Sequence, residues 1–309
     1  MTCPLCAADA RFLTAVNAYA LQRCTADACS HVFVDPCPSM DELNRLYDTT
    51  TSGLLNSDSW TLAEDYETSP TVIRQYYQDA RIDWLTQRGY LKGHDTSVLD
   101  IGCSTGIFLK VLADQGFTDL QGFDLSRAHR EYVQRQHHIR CAGSFADLPD
   151  ARFDLVTCYA VLEHTIDPLE FLRNTRRILK PGGCVVLLVP NYQSWYRMLA
   201  RQQWVWLVPP VHLQYFSPSS LAMAVRRAGL DLVECLSDYG GTYTYLLVYH
   251  VMRALNRSMP STRRTGRPLA QSFLNSLETL LRVCMFPISR AATERHRHNE
   301  LVCVGARPA

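Results

Sequence analysis

Lysine is nearly missing from this chain: Lys92, Lys110 and Lys180 are the only three in 309 residues. Arginine supplies the rest of the positive charge, and 31 basic against 30 acidic residues leave a net charge of +1. A surface that tracks a nucleic-acid backbone needs a clear positive excess, so no nucleic-acid partner is expected. Long apolar runs are missing too. No stretch reaches the ~18 residues of a membrane-spanning helix, and the uncharged run from Gln202 to Val225 is interrupted by Pro209, Pro210, His212 and Pro218. Met1-Thr2-Cys3-Pro4 has neither the basic start nor the apolar stretch of an export signal, so a cytoplasmic location is expected. Internal repeats are absent. With 47% hydrophobic and 20% charged residues, the composition is that of an ordinary globular protein.

Cysteine, by contrast, is abundant, with twelve in all. In a reducing compartment these are thiols or metal ligands rather than disulfides. Cys3-x2-Cys6 and Cys24-x4-Cys29 make two close pairs. Four thiolates so arranged can enclose a tetrahedral Zn²⁺, a closed structural site with no place for a reacting water. The second pair is wider than usual, which leaves His31 or Cys37 as substitutes for Cys29. A metal would supply folding energy that so short a segment cannot bury for itself.

Beyond a polar stretch from Asp48 to Ser59, helices and strands alternate. A helix is expected over 71–88. Ser97–Ile101, Leu120–Phe123, Phe153–Cys158 and the apolar Cys184–Val189 read as strands. Between them, helices are expected over Gly106–Gln115, over Ser126–His137 with Ser126 as cap, and over Asp167–Leu179 with Asp167 as cap and Pro168 in the first turn. A helix over Pro218–Ala228, a strand over Leu230–Cys235 and a last strand over Leu301–Val304 follow. Apolar strands separated by helices mean an α/β fold with a doubly wound, mainly parallel sheet.

The segment Val98-Leu99-Asp100-Ile101-Gly102-Cys103-Ser104-Thr105-Gly106 carries the strongest chemical signal. A strand ends, small residues turn sharply and a helix begins. Asp124 ends the next strand, where a carboxylate can accept from both hydroxyls of a ribose. The loop lacks the three glycines of a dinucleotide site and the lysine of a P-loop. Asp100 would repel a pyrophosphate but suits a cationic ligand. An adenosine ligand with an ammonium and a sulfonium is S-adenosylmethionine.

Here the sequence resembles the class I S-adenosylmethionine-dependent methyltransferases. The resemblance rests on V-L-D-I-G-C-S-T-G at 98–106, G-F-D-L-S at 122–126, F-D-L-V at 153–156, L-E-H at 162–164 and L-K-P-G-G at 179–183. It implies a Rossmann-like sheet of about seven strands. It also implies that Asp100, Gly102, Cys103, Ser104 and Gly106 hold the methionine end, Asp124 the ribose and Leu125 the adenine, with Ser144, Phe145 and Tyr159 completing the pocket. The first residues, through His31 to Tyr47, resemble the zinc-ribbon-like module of nucleotide-sugar C-methyltransferases, which shapes or closes the substrate side. The expected organisation is a module at 1–47, a linker at 48–69 and a methyltransferase domain at 70–309, with a helical insertion about 243–292 before the last strand.

The acceptor side is expected beyond the carboxyl end of the Phe153–Cys158 strand, at Glu163 and His164. Ubiquinone-type O-methyltransferases use E-x-x-E-H there to bind a divalent cation; here Ala160 replaces the first acid, so one ligand of that set is missing. His212, in Pro209-Pro210-Val211-His212-Leu213-Gln214-Tyr215-Phe216, is the expected base, titrating near pH 6–7. Trp204, Trp206 and Tyr215 are candidate walls. Between Val251 and Glu300 there are nine arginines and three glutamates, a basic face suited to an anionic small-molecule acceptor or to peripheral membrane contact. The leading expectation is a methyltransferase acting on a sugar, nucleotide-sugar or secondary metabolite. The alternatives are an rRNA or tRNA methyltransferase with a zinc module, and a zinc-ribbon interaction protein with an inactive cofactor domain.

Overall fold

A computed structural model of the chain describes residues 1–39, 41–43, 81–237 and 298–309. The expected linker, most of the 71–88 helix and the 243–292 insertion lie outside the described residues.

The first strands, β1 (Ala10–Val16), β2 (Tyr19–Cys24) and β3 (Val32–Val34), form an antiparallel sheet. Asn17 and Ala18 close the β1–β2 hairpin with positive φ at both positions, the twist-compatible geometry of a two-residue turn. An asparagine followed by alanine is a muted form of the usual Asn-Gly signal, and the hairpin is not legible from the sequence.

The second sheet comprises β4 (Val98–Ile101), β5 (Leu120–Phe123), β6 (Arg140–Ala142), β7 (Phe153–Tyr159) and β8 (Leu179–Pro190). A two-residue strand, β9 (Gln214–Tyr215), leaves this sheet and pairs with β3, while β10 (Asp231–Leu236) and β11 (Glu300–Ala306) complete it. The order is β10-β11-β8-β7-β4-β5-β6. The pairs from β8 to β6 are parallel; β11 runs antiparallel to both β8 and β10. This is the seven-stranded Rossmann-like sheet expected. β6 was missed because three residues, one of them exposed, carry no periodicity.

The helices follow their caps. Asp167 accepts from Leu169 N and Glu170 N, both at 2.9 Å, and starts the Pro168–Ile178 helix. Ser126 caps Arg127–Tyr132, and the expected continuous helix widens into a π turn over Val133–His137. A short helix at Trp195–Ala200, capped by Ser194, was not expected. On one face of the sheet Leu99, Ile101, Val185 and Leu187 pack with Leu172, Leu221 and Val225; on the other, Val98, Leu155, Val186 and Val302 pack with Val111 and Leu112. Cys3, Leu5, Cys24, Cys29 and Phe33 belong to the first of these cores, so the N-terminal sheet shares its interior with the large domain. Among the described residues no helix is long and apolar enough to cross a membrane.

Asp167→Ala removes two capping bonds from a helix that packs on the sheet. A loss of about 0.5–2 kcal/mol is expected in urea denaturation; an unchanged midpoint would contradict the capping role.

Candidate active site

Strand order reverses at β4: β5 lies on one side of it and β7 on the other. The loops leaving the carboxyl ends of these strands therefore surround one crevice. Gly102 and Cys103 donate their backbone N–H groups to Phe123 O at 2.7 and 3.1 Å, which fixes the loop after β4 to the end of β5. Gly102 has φ of +73°, and a Cβ there would lie 2.3 Å from Val161 Cγ2. Gly106 has φ of +75° and would meet Val133 at 2.8 Å. Both glycines are required by backbone shape and by space.

Asp124 stands at the crevice edge. Ser104 N donates to its Oδ2 and Ser126 N to its Oδ1, each at 2.8 Å, with His129 Nδ1 at 3.4 Å from Oδ1. A carboxylate has about four lone-pair sites, so acceptor capacity remains for two ribose hydroxyls. Leu125 beside it is 70% exposed. Ser104 Oγ is buried with no partner among the described residues. Cys103 contributes its backbone; its Sγ turns inward to 3.5 Å from Cys141 Sγ. Ser144 caps the short turn Phe145–Asp147, and Phe145 packs between Phe123 and Phe171. Tyr159 is buried edge-on to Phe108 under the Arg81 guanidinium.

Asp100 is 5% exposed and accepts from Thr157 Oγ1 at 2.7 Å across the β4–β7 register. Burial pushes its pKa up to about 6, against the Thr157 bond and the Arg81 charge. A buried carboxylate so disposed is stabilised by a cation. The donors, the two glycines and the exposed Leu125 fit an S-adenosylmethionine ligand.

On the β7 side, Glu163 and His164 lie in the turn Leu162–His164, and His212 reaches them from the segment before β9. One ligand atom of each lies within 4.8 Å of the others. Glu163 is 1% exposed, and neither of its oxygens has a partner among the described residues. Burial pushes its carboxyl up to about 8. His164 Nδ1 lies 2.8 Å from Val211 O and His212 Nδ1 2.8 Å from Trp206 O. A carbonyl only accepts, so each Nδ1 carries its proton. Burial, reinforced by His164, lowers His212 to about 3, well under the 6–7 expected from sequence; at neutral pH it carries no charge. A cation could be drawn into these three donors, but Ala160 offers no fourth side chain. Trp204 and Tyr215 are both 2% exposed and pack with Leu21, Val32 and Val34; they are core against the N-terminal sheet, not pocket wall.

The four sulfurs of Cys3, Cys6, Cys24 and Cys29 all lie within 4.8 Å of one another, with Cys3–Cys29 at 3.7 Å and Cys6–Cys24 at 3.4 Å. Tetrahedral Zn–S bonds of ~2.3 Å put sulfurs about 3.8 Å apart, so this donor set fits zinc. Cys37 is exposed and outside the group, and His31 turns instead to Gln214. Sequence reasoning missed Thr157, His129 and Gln214. Thr157 and Gln214 occur singly among apolar neighbours and His129 in a charged helix turn, and only the packing of distant segments shows what they face.

A methyltransferase-domain family model matches residues 73–235. The ubiquinone biosynthesis O-methyltransferase of Pseudomonas aeruginosa is 30% identical over 186 residues, covering 55% of this chain and 77% of that enzyme. The enzyme of the same name from Aromatoleum aromaticum is 32% identical over 171 residues, covering 50% and 72%. Among solved structures, the cyclase SpnF aligns over 88% of this chain and 97% of its own with a TM-score of 0.53 at 15% identity, a likeness of fold alone.

Two predictions concern the cofactor side. Asp124→Ala should weaken S-adenosylmethionine binding about 10- to 150-fold by calorimetry, and unchanged affinity would reject the ribose role. A cofactor cation held by Asp100 requires its ionised form, so on that role affinity should fall toward tenfold per pH unit below about 6. Asp100→Asn should abolish that slope; a wild type with flat affinity between about pH 5 and 7.5 would contradict it.

Proposed function

We propose an acceptor class and a proton path for this chain, which belongs to the class I S-adenosylmethionine-dependent methyltransferases. The acceptor is a small molecule, a sugar, nucleotide-sugar or secondary metabolite, methylated at a hydroxyl or at an acidic carbon. Bound S-adenosylmethionine supplies a methyl group already activated on a sulfonium. The chain's own task is to hold the acceptor in line, exclude water and accept the acceptor's proton. Asp100 faces the cationic end of the cofactor, and Asp124 its ribose.

The proton goes to the Glu163–His164–His212 group. The observation that carries this reading is the Glu163 carboxyl, buried with both oxygens orphaned beside two neutral imidazoles. At pH 7 the group as a whole is uncharged. Loss of the Glu163 proton leaves a carboxylate beside both rings and raises their affinity for a proton. His212 then takes the acceptor's proton as the new bond to the methyl forms and the sulfonium bond breaks. The activity of the similar enzymes, O-methylation in ubiquinone biosynthesis, supports a hydroxyl acceptor. A net charge of +1 speaks for a small acceptor over RNA. The basic residues about 243–292 suit an anionic one.

Turnover should rise through an apparent pKa near 8. His212→Ala should lower it about 10²–10⁴-fold with cofactor affinity near wild type. Glu163→Gln should erase the limb. This ranks Glu163 above the place its missing companion acid suggests, because burial, with the Glu300 charge, sets its titration. A limb that survives Glu163→Gln would reject the path, and abolition by a chelator with restoration by Mg²⁺ would assign a cation to the group instead.

For the cysteine module the reading is one structural Zn²⁺ held by Cys3, Cys6, Cys24 and Cys29, with residues 1–47 as the module and 70–309 as the catalytic domain. Elemental analysis should give one zinc per chain. A Cys3→Ser/Cys6→Ser variant that keeps its zinc would reject the site.

A further inference from the structure

Gln214 has no place in the proton path, yet it and its neighbours hydrogen-bond both to the cysteine module and to the turn that carries Glu163. β3 and β9 pair as Val32↔Tyr215 and Phe33↔Gln214, and Val34 N donates to Leu213 O at 2.9 Å. In the same segment Leu213 N donates to Glu163 O at 2.8 Å, and His164 Nδ1 donates to Val211 O. Residues 211–215 thus bond both to the module and to the turn that carries Glu163 and His164.

The Gln214 side chain repeats this bridge. Its Nε2 donates to Thr165 O at 3.0 Å and Ile166 O at 3.3 Å. Those two carbonyls fix the amide's orientation, since only the NH₂ end can donate. Oε1 must then accept, and His31 Nε2 donates to it at 2.9 Å. His31 is fully buried against Phe33 and Phe216. Its carbonyl accepts from Cys24 N at 2.8 Å, which ties the ring to one of the four convergent cysteines. His31 and Gln214 are themselves 0% and 4% exposed, so breaking the bond between them would leave buried polar groups unpaired, and a shift of one side chain draws the other with it.

We infer that Gln214 is a positioning residue, which with His31 carries the fold of the cysteine module to Glu163, His164 and His212, so that the module governs methyl transfer and not cofactor binding. This rests on the proposed role of those three residues.

The test uses the full chain with ¹⁵N-labelled histidine, and S-adenosylhomocysteine as the probe of the cofactor site. The Nδ1 protons of His164 and His212, held by Val211 and Trp206, report positions without turnover. In Gln214→Leu and in His31→Ala these protons should exchange with water at least about tenfold faster. Affinity for S-adenosylhomocysteine should stay within about twofold. The double variant should exchange no faster than Gln214→Leu alone, as expected for two residues on one path. Gln214→Glu keeps the shape and the bond from His31 but faces two carbonyls with a carboxylate, and it too should release the protons. Unchanged protection in the variants would overturn the inference. So would cofactor affinity falling in step with protection, which marks general unfolding, or Gln214→Glu behaving as wild type, which marks a packing defect. A wild type without the Glu163-dependent pH limb would instead sink the proposed proton path and leave the exchange result standing.

Discussion

The chemistry of this protein depends on the point where the sheet changes direction. A parallel sheet that winds outward both ways from one strand leaves a gap between the loops at that strand's carboxyl end. Here the strand is β4, and the gap is walled by the Gly102–Gly106 turn, by Asp124 after β5 and by the Glu163 turn after β7. Two carboxyl groups, Asp100 and Glu163, lie in apolar surroundings near it. Burying a carboxyl disfavours its charge, and both are pushed up, to about 6 and about 8. They differ in company. Asp100 has Thr157 and the Arg81 charge and is readily ionised, as a partner for a cation should be. Glu163 is buried with the Glu300 charge acting on it, beside His164 and His212, and keeps its proton near neutrality.

The second constraint is the junction between the two sheets. β9 has only two residues, yet it pairs with β3 and carries the chain from His212 back to the core. Cys24, Cys29 and Phe33 pack in the same core as Leu99 and Leu221. The small sheet therefore cannot shift without moving the segment that holds His212. This gives the cysteine module a mechanical part in the site, beyond holding its own fold together.

Much of the large domain was legible because its signals are local and strong. Asp167-Pro168 announces a helix start, and the apolar run from Cys184 to Val189 announces a strand buried on both faces. The cofactor turn was legible through Asp100, Gly102, Gly106 and Asp124, whose spacing reflects one strand, one helix and the next strand. The four cysteines were legible from their pairing, and the structure selects Cys29 over His31 and Cys37 as the fourth of the group. What was not legible depends on contacts between distant segments. Nothing in Leu213-Gln214-Tyr215 says that it will pair with Val32-Phe33, so Trp204 and Tyr215 read as candidate pocket walls when they are core. The titration of His212 was misjudged for the same reason: its burial beside His164 is a tertiary fact.

The central claim is that the resting protein holds an uncharged carboxyl at Glu163 beside neutral imidazoles. Infrared difference spectra between wild type and Glu163→Gln, recorded across pH, read that group directly. The account predicts a protonated-carboxyl C=O band at neutral pH that disappears through about pH 8. A Glu163 ionised throughout the neutral range, with no such band, would contradict it.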